Sequence, residues 1–175
     1  SSGLKLAWET ELPAHVHRAA PEVYEEDLII SMQDEDEGAN GGVCRVRQSD
    51  GSMVWCTNTD SAIRNSVATS PDGGIFSLSF CGRLSRLDAA TGDTVWQVDT
   101  HGFPERWTAT SPTVADGVVY VGAKSGYGAH DIATGEELWF RRFSGTLDLM
   151  ADHIGDKWGA YYKPMVFEDL LHRFR

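Results

Sequence analysis

The chain has 175 residues, of which 41% are hydrophobic and 23% are charged, and this balance excludes an intrinsically disordered or a fibrous protein. The formal net charge of −11 argues against a general nucleic-acid binder, because phosphate backbones require a basic surface. No apolar run in the sequence approaches the roughly 18 residues that a membrane-spanning helix requires.

Regularly spaced tryptophans mark the repeated elements that can be predicted along the chain. Trp8, in KLAWETEL, is the first and has the form of a repeat copy that lacks its first half. Three of the later tryptophans stand four residues after a glycine, in the pairs Gly51 and Trp55, Gly92 and Trp96, and Gly135 and Trp139. The four tryptophans recur at steps of 47, 41 and 43 residues, which indicates an internal repeat.

Each glycine turn joins two runs in which apolar and polar residues alternate, as RLSRLDA and TVWQVDT do around Gly92. The alternation predicts a hairpin of two half-buried strands, and Gly92 can adopt the positive φ that such a turn requires. Each tryptophan is followed by a strand marked by proline: RAAPEVYEEDLIISM, ATSPDGGIFSLSF, ATSPTVADGVVYVG and YYKPMVFEDLLHRF. Each of these segments breaks at an acidic turn and resumes as an apolar strand, so one unit has four short strands in about 40 residues.

A period of this length with four strands per unit favours a β-propeller. A four-stranded blade cannot bury its own faces and must pack against its neighbours. We therefore expect each tryptophan to lie on the outermost strand and to reach across to the next blade. Its indole N–H is expected to find an acceptor near the turn of that blade.

The phrases LDAATGDTVW, HDIATGEELW and SPTVADGVVYVG resemble the repeats of PQQ-like, quinoprotein-type β-propellers. That family combines an alanine-leucine-aspartate lead-in, a threonine-glycine turn and a docking tryptophan. The resemblance spans nearly the whole chain and is strongest over residues 66–140, whereas RVRQSDGSMVW keeps the spacing without the lead-in. It implies the fold but not a cofactor, because many propellers of this family bind no pyrroloquinoline quinone.

The predicted fold is therefore an all-β segment of a β-propeller, with four-stranded antiparallel blades, tryptophan-docking repeats and an incomplete ring. Residues 1–15 supply the last strand of a preceding blade, 16–60, 61–101 and 102–144 form three blades, and 145–175 begin a further one. A closed propeller has at least about four blades. We therefore expect the remaining blades to come from the rest of a longer chain.

The three cysteines, Cys44, Cys56 and Cys81, include no CxxC pair that would indicate a metal or redox site. Cys44 and Cys56 flank the turn at Asp50-Gly51 and are expected nearly opposite each other on neighbouring strands. A cross-strand disulfide and two buried free thiols both fit this placement. Free thiols are preferred, because buried cysteine commonly serves as a small hydrophobic residue.

A cationic residue beside an aromatic or amide residue precedes the proline-marked strand of each later unit. The pairs in register are Arg64-Asn65, Arg106-Trp107 and Lys157-Trp158, and His17-Arg18 is out of register in the first unit. Because the innermost strand of a blade begins near the central channel, these residues are predicted to ring one mouth and bind a small anion. Guanidinium groups suit carboxylates and phosphates. The alternative is a set of rim residues paired with nearby acidic side chains.

The acidic insertion QDEDEGANGG is interpreted as a solvated hairpin tip. Asp34, Asp36 and Asn40 offer oxygens in alternation, but Ala39 stands where a calcium-binding loop has glycine.

The remaining polar residues indicate neither a metal centre nor catalysis. His15 and His17 could share one face of a strand, but no third ligand follows nearby. No Walker loop, GxSxG motif or Cys-His nucleophile pair occurs in the sequence. No residue is therefore assigned to a metal or to catalysis.

The sequence thus predicts a non-catalytic binding or scaffold module whose partner at the blade face is a protein or a small anionic ligand, and not a nucleic acid. The resemblance implies three alternatives. One is a fragment of a quinoprotein dehydrogenase, which would hold pyrroloquinoline quinone with calcium, although no ligands for either can be assigned. The others are an outer-membrane assembly-factor-like scaffold and a propeller appended to an enzyme such as a metallophosphoesterase. By family analogy alone, an extracytoplasmic location is expected.

Overall fold

The computed structural model describes residues 3–16, 19–33, 41–101, 110–123 and 126–142. The regular secondary structure of these residues consists of β-strands alone, which confirms the all-β prediction. The strands are β1 (Glu22–Tyr24), β2 (Asp27–Gln33), β3 (Gly41–Arg47), β4 (Met53–Thr59), β5 (Ala68–Thr69), β6 (Gly74–Leu78), β7 (Arg83–Asp88), β8 (Thr94–Asp99), β9 (Thr113–Ala115), β10 (Val118–Ala123), β11 (Gly126–Asp131) and β12 (Glu137–Arg142). No helix in these segments is long and apolar enough to cross a bilayer.

The strands form three separate four-stranded sheets, each a meander in chain order. The first sheet contains β1 to β4, the second β5 to β8 and the third β9 to β12. Neighbouring strands are antiparallel in every sheet. The sheets fall inside the predicted blades 16–60, 61–101 and 102–144, and the predicted further unit at 145–175 lies outside the described residues.

The first strand of each sheet is the innermost. β1 contacts β5, and β5 in turn contacts β9, so the three short first strands converge. The fourth strands, β4, β8 and β12, form the outer edges of their sheets. This radial arrangement is the one expected of propeller blades.

The hydrophobic core lies between successive sheets. Ile29 and Val43 of the first sheet pack with Ile75 and Leu87 of the second, and Ile63 from the segment between these sheets joins them. A second cluster joins the second and third sheets and contains Phe76, Leu78, Leu84, Val119 and Val121. A third cluster occupies the opposite face of the first sheet, where it contacts Trp8, Leu12 and Ala14 of the N-terminal segment.

Each outer hairpin contains an irregularity at the same position, which the sequence pattern did not reveal. The register shifts between Arg45 and Val46, between Arg86 and Leu87, and between Ala129 and His130. The residue left without a partner directly precedes each docking tryptophan: Val54, Val95 and Leu138. These bulged side chains are exposed, by 38%, 54% and 50% respectively. A bulge bends its strand and re-aims the neighbouring side chain, and here that neighbour is the tryptophan.

The preference for free thiols at Cys44 and Cys56 is wrong. The two residues are direct partners in the register of β3 and β4, and they form a disulfide with a Cα–Cα distance of 4.1 Å. Their side chains share one face of the sheet because residues opposite each other on antiparallel strands point to the same side. Cys81 is not disulfide-bonded.

Candidate functional site

The described structure is organised around the contacts of three tryptophans, Trp8, Trp55 and Trp96, with the turn of the blade that follows each of them. The Trp55 Nε1 donates to the Ala89 carbonyl oxygen at 2.9 Å, and the Trp96 Nε1 donates to the Ile132 carbonyl oxygen at 3.2 Å. The N-terminal segment repeats the arrangement, because the Trp8 Nε1 donates to the Gln48 carbonyl oxygen at 2.8 Å. In all three cases the acceptor stands three residues before the turn glycine.

The turn glycine provides the flat surface on which the indole lies. At Gly92, where φ is +79°, an added Cβ would lie 2.7 Å from the Trp55 ring. At Gly135, where φ is +77°, it would lie 2.8 Å from the Trp96 ring. Glycine is therefore required at this position for two reasons: the backbone is left-handed, and the packed ring leaves no space for a Cβ.

An arginine completes the contact between the first two pairs of blades. Arg45 is the direct partner of Trp55 across β3 and β4, and its Nη1 donates to the same Ala89 carbonyl oxygen at 2.8 Å. Arg86 occupies the same position beside Trp96 and donates to the Ile132 carbonyl oxygen at 3.0 Å. We call this arrangement of tryptophan, arginine, shared carbonyl and turn glycine the interblade clamp.

Acidic side chains hold the clamp arginines in place. The Arg45 Nε lies 2.6 Å from an Asp27 carboxylate oxygen, and its Nη2 lies 3.3 Å from Glu25. The Arg86 Nη2 lies 3.0 Å from Asp72. These ion pairs orient the guanidinium groups, so that their remaining N–H groups face the carbonyl of the next blade.

Aspartate shapes the turns that receive the tryptophans. The Asp88 Oδ1 accepts from the backbone N–H of Ala90 at 2.9 Å and of Thr91 at 3.0 Å. The Asp131 Oδ1 accepts in the same way from the backbone N–H groups of Ala133 at 3.0 Å and of Thr134 at 2.8 Å.

These hydrogen bonds stabilise the ionised carboxylates of the turns. The pKa of Asp88 is lowered, first by the backbone N–H of Thr91. The pKa of Asp131 is lowered, first by the Thr134 hydroxyl. The first full turn has Arg47 in this place, and there Asp50 accepts from the Ser52 N–H at 2.8 Å.

The third blade departs from the clamp pattern. Ala129 stands opposite Trp139, where the earlier blades have arginine. Trp139 is 43% exposed, and its ring lies 6.2 Å from that of Tyr120. The turn on which Trp139 is expected to dock belongs to the unit outside the described residues.

Of the residues predicted to form the anion site, the structure describes only the first pair, Arg64 and Asn65. The Arg64 Nε donates to the Gln33 Oε1 at 3.0 Å, and the guanidinium carbon lies 3.8 Å from the centroid of the Phe80 ring. Arg64 thereby spans the first and second blades. Arg106, Trp107, Lys157 and Trp158 lie outside the described residues, so the predicted ring of cations stays a prediction.

Asn65 leaves one polar group without a partner inside the fold. Its backbone carbonyl oxygen accepts from the Ser31 hydroxyl at 2.8 Å. Its Nδ2 is buried and has no hydrogen-bond partner among the residues that the structure describes. A buried amide donor of this kind suits an acceptor oxygen of a bound molecule or a water.

Arg64 and Asn65 lie at the end of the sheets where the chain passes from one blade to the next. We call this end the crossover face; it includes the segment 60–67 and the turn 79–82. Backbone bonds from Ile63 to Met32 and from Phe80 to Ala62 fix that segment between the first two sheets.

The other candidate sites contribute little to the described surface. His15 forms a backbone bridge with Gln33, whereas His17 and the oxygen-bearing residues Asp34, Asp36 and Asn40 lie outside the described residues. In the segments that the structure describes, no group of three or more His, Cys, Asp or Glu side chains could hold a metal ion.

Sequence reasoning missed two residues of the clamp region. Arg45 and Arg86 each stand ten residues before their tryptophan, and this spacing was a usable signal that Ala129 conceals in the third copy. His130 was also missed; it is buried at the position of Val46 and Leu87, and its Nδ1 donates to the Gly135 carbonyl oxygen at 3.0 Å.

Comparison with known proteins identifies the repeats. A family profile described as "Outer membrane protein assembly factor BamB" matches residues 2–157. The protein of that name from Vibrio cholerae serotype O1 is 28% identical over 127 residues, which cover 65% of this chain and 33% of the relative. The chain thus spans about a third of the length of this relative.

Solved structures show the same propeller fold. BamB from Moraxella catarrhalis superposes with a TM-score of 0.62 at 22% identity, covering 78% of this chain and 39% of that one. A quinohemoprotein alcohol dehydrogenase from Comamonas testosteroni superposes with a TM-score of 0.62 at 25% identity, covering 80% and 23%. The predictions of a β-propeller segment and of PQQ-like repeats are therefore confirmed.

The clamp predicts a strong effect of removing its indole. Trp55→Ala should lower the free energy of unfolding by about 3 kcal/mol, because a large partly buried ring is lost. Trp55→Phe keeps a smaller ring on Gly92 but loses the indole N–H. The lost hydrogen bond should cost about 1 kcal/mol in addition to the cost of the smaller buried area. Urea denaturation followed by circular dichroism measures both; an Ala variant with the parent's midpoint would contradict the clamp.

The turn glycines offer a matched pair of substitutions. Gly92 and Gly117 have nearly equal φ values of +79° and +77°, but nothing lies within 4 Å of a Cβ added at Gly117. Gly117→Ala should therefore show only the backbone cost of about 1 kcal/mol. Gly92→Ala should cost at least about 1 kcal/mol more, because the new methyl group overlaps the Trp55 ring. Equal losses in urea denaturation would show that the ring does not rest on this glycine.

The turn aspartates predict a specific acid sensitivity. Their folded pKa values lie below 3.8, so their contribution to stability is present above that pH and is lost as the pH falls towards the folded values. In the double variant Asp88→Asn, Asp131→Asn, the turn acceptors remain but do not titrate. The variant should therefore lose less stability than the parent between about pH 5 and pH 3. Parallel acid-unfolding curves for the two proteins would refute this role.

Proposed function

We propose that this chain, which belongs to the family described as outer membrane protein assembly factor BamB, is a non-catalytic β-propeller module that acts by binding a partner. The observation that carries the proposal is the interblade clamp. Arg45 and Arg86, two polar side chains that could otherwise take part in chemistry, are committed to carbonyls of the neighbouring blade. What the clamp provides is a rigid array of blades, which suits a binding surface.

The crossover face is the surface that we assign to the partner. The Arg64 guanidinium lies over the buried Phe80 ring there, and arginine is enriched where proteins bind one another. Asn65 adds a buried amide N–H without a protein acceptor. A carboxylate or a backbone carbonyl of a partner protein would match both groups, and a small anion is the alternative occupant.

Two observations support an extracytoplasmic location for this chain. The disulfide between Cys44 and Cys56 is a feature of proteins from oxidising compartments. The names of the family and of its Vibrio cholerae member place those proteins in outer-membrane assembly. We propose an extracytoplasmic location for this chain and a scaffold role there.

Photo-crosslinking can test the assignment of the face. A photoreactive residue replaces Cys81, which is partly exposed in the turn 79–82 of the crossover face, in one variant, and Val95, on the outer edge of the second blade, in the control. We expect position 81 alone to trap one protein, which is then purified and mixed with the chain. Binding of this purified protein should weaken at least about tenfold in Arg64→Ala. No binary complex, or equal trapping from position 95, would overturn the assignment.

The similarity to a quinohemoprotein alcohol dehydrogenase sets the rival function. Adding pyrroloquinoline quinone and calcium to the full chain should produce no dye-linked alcohol oxidation above that of buffer. Stoichiometric quinone binding with turnover would replace the scaffold by a dehydrogenase. The parent chain unfolded in urea serves as the control, because turnover that survives unfolding would come from a contaminant.

A further inference from the structure

Four sulfur atoms form a row of contacts on one face of the first sheet, in the order Met32, Cys44, Cys56 and Met53. Cys44 and Cys56 are joined by the disulfide. The Met32 Sδ lies 3.4 Å from the Cys44 Sγ, and the Met53 Sδ lies 3.3 Å from the Cys56 Sγ. Because the bonded sulfurs carry no hydrogen, these are contacts between sulfur atoms and not hydrogen bonds. We call the four residues the sulfur cluster.

We propose that the sulfur cluster, once its disulfide is reduced, binds one soft monovalent metal ion of the Cu(I) class. Two thiolates and two thioethers are the ligand set that selects Cu(I) among biological metals. Two sulfur ligands about 2.3 Å from one tetrahedral ion lie about 3.8 Å apart. The methionine sulfurs already lie within a few tenths of an ångström of that separation from their cysteine partners.

The surroundings of the cluster suit a soft ion with a low charge. Met32 and Cys44 are fully buried, whereas Met53 is 44% exposed, so the site is dry at its base and open at one ligand. Trp8 and Leu12 pack against the same cluster, and apolar walls disfavour strongly hydrated divalent ions. Two thiolates with one monovalent ion leave a single net negative charge.

Metal binding would be coupled to the thiol state of the chain. A small dithiol reduces the disulfide: its two S–H groups supply two electrons and two protons, the bond between Cys44 and Cys56 breaks to give two thiols, and the dithiol becomes a cyclic disulfide. Binding of one Cu(I) then releases the two thiol protons and forms two metal–thiolate bonds. Neither step changes the oxidation state of the metal, and an oxidised chain offers only the two thioethers.

Competition with the Cu(I) chelator bicinchoninate tests the proposal on the full chain. The chain reduced with a dithiol and freed of it without oxygen should take up one Cu(I), at least about 100-fold more tightly than the oxidised chain. Met53→Leu should weaken this uptake about tenfold or more, since it removes a ligand. Its side chain is partly exposed and similar in size, so the fold should persist, which circular dichroism checks. Cys81→Ser is the control, because Cys81 lies outside the cluster and should leave uptake unchanged.

Three results would overturn the proposal. The first is equal Cu(I) affinity of the reduced and oxidised chains. The second is unchanged affinity in both Met53→Leu and Met32→Leu, which would mean that the thiolates alone hold the ion. The third is tighter retention of Zn(II) than of Cu(I) by the reduced chain, which would remove the preference for a soft monovalent ion. The sulfur cluster is independent of the crossover face. The result of the Cu(I) competition therefore does not decide whether the crossover face binds a partner, and the crosslinking result does not decide whether the sulfur cluster binds Cu(I).

Discussion

The structure depends on one backbone carbonyl in each turn. Between the first two pairs of blades this oxygen accepts an indole N–H and a guanidinium N–H from the same neighbouring blade. A sheet of four short strands has two apolar faces and no interior of its own. The carbonyl turns the approach of two such sheets from a non-directional hydrophobic contact into one with a fixed register, because both donors must reach the same atom.

The repeated spacing of glycine and tryptophan allowed the fold to be predicted, since it encodes this contact directly. The clamp arginines were not predicted, although Arg45 and Arg86 share one spacing to tryptophan, because the relation is visible only once the bulged register pairs them. The disulfide was misjudged for a related reason. Whether two cysteines on adjacent strands bond depends on the local register and strand separation, which alternation of apolar and polar residues does not determine.

The candidate ligand site was predictable only in part. The pattern placed Arg64 and Asn65 before the first strand of a blade, but it could not show that the guanidinium lies over Phe80 and reaches Gln33. These contacts join residues far apart in the chain, and they give Arg64 a structural task besides any binding. The sulfur cluster was invisible for the same reason, because its methionines resemble ordinary core residues until three strands bring them together. Fold recognition alone therefore says little about what such a surface binds.

The clamp also has a direction: in each described clamp, the tryptophan of one blade contacts the turn of the blade that follows it in the chain. A unit such as the second blade therefore carries both a turn that receives the tryptophan of the preceding blade and a tryptophan that contacts the turn of the following blade. A duplicated unit inserted between two others would restore both junctions without any change in the flanking sequences. This polarity gives a lineage a simple genetic route to longer arrays, and it lets each unit acquire new surface residues while its junctions stay the same.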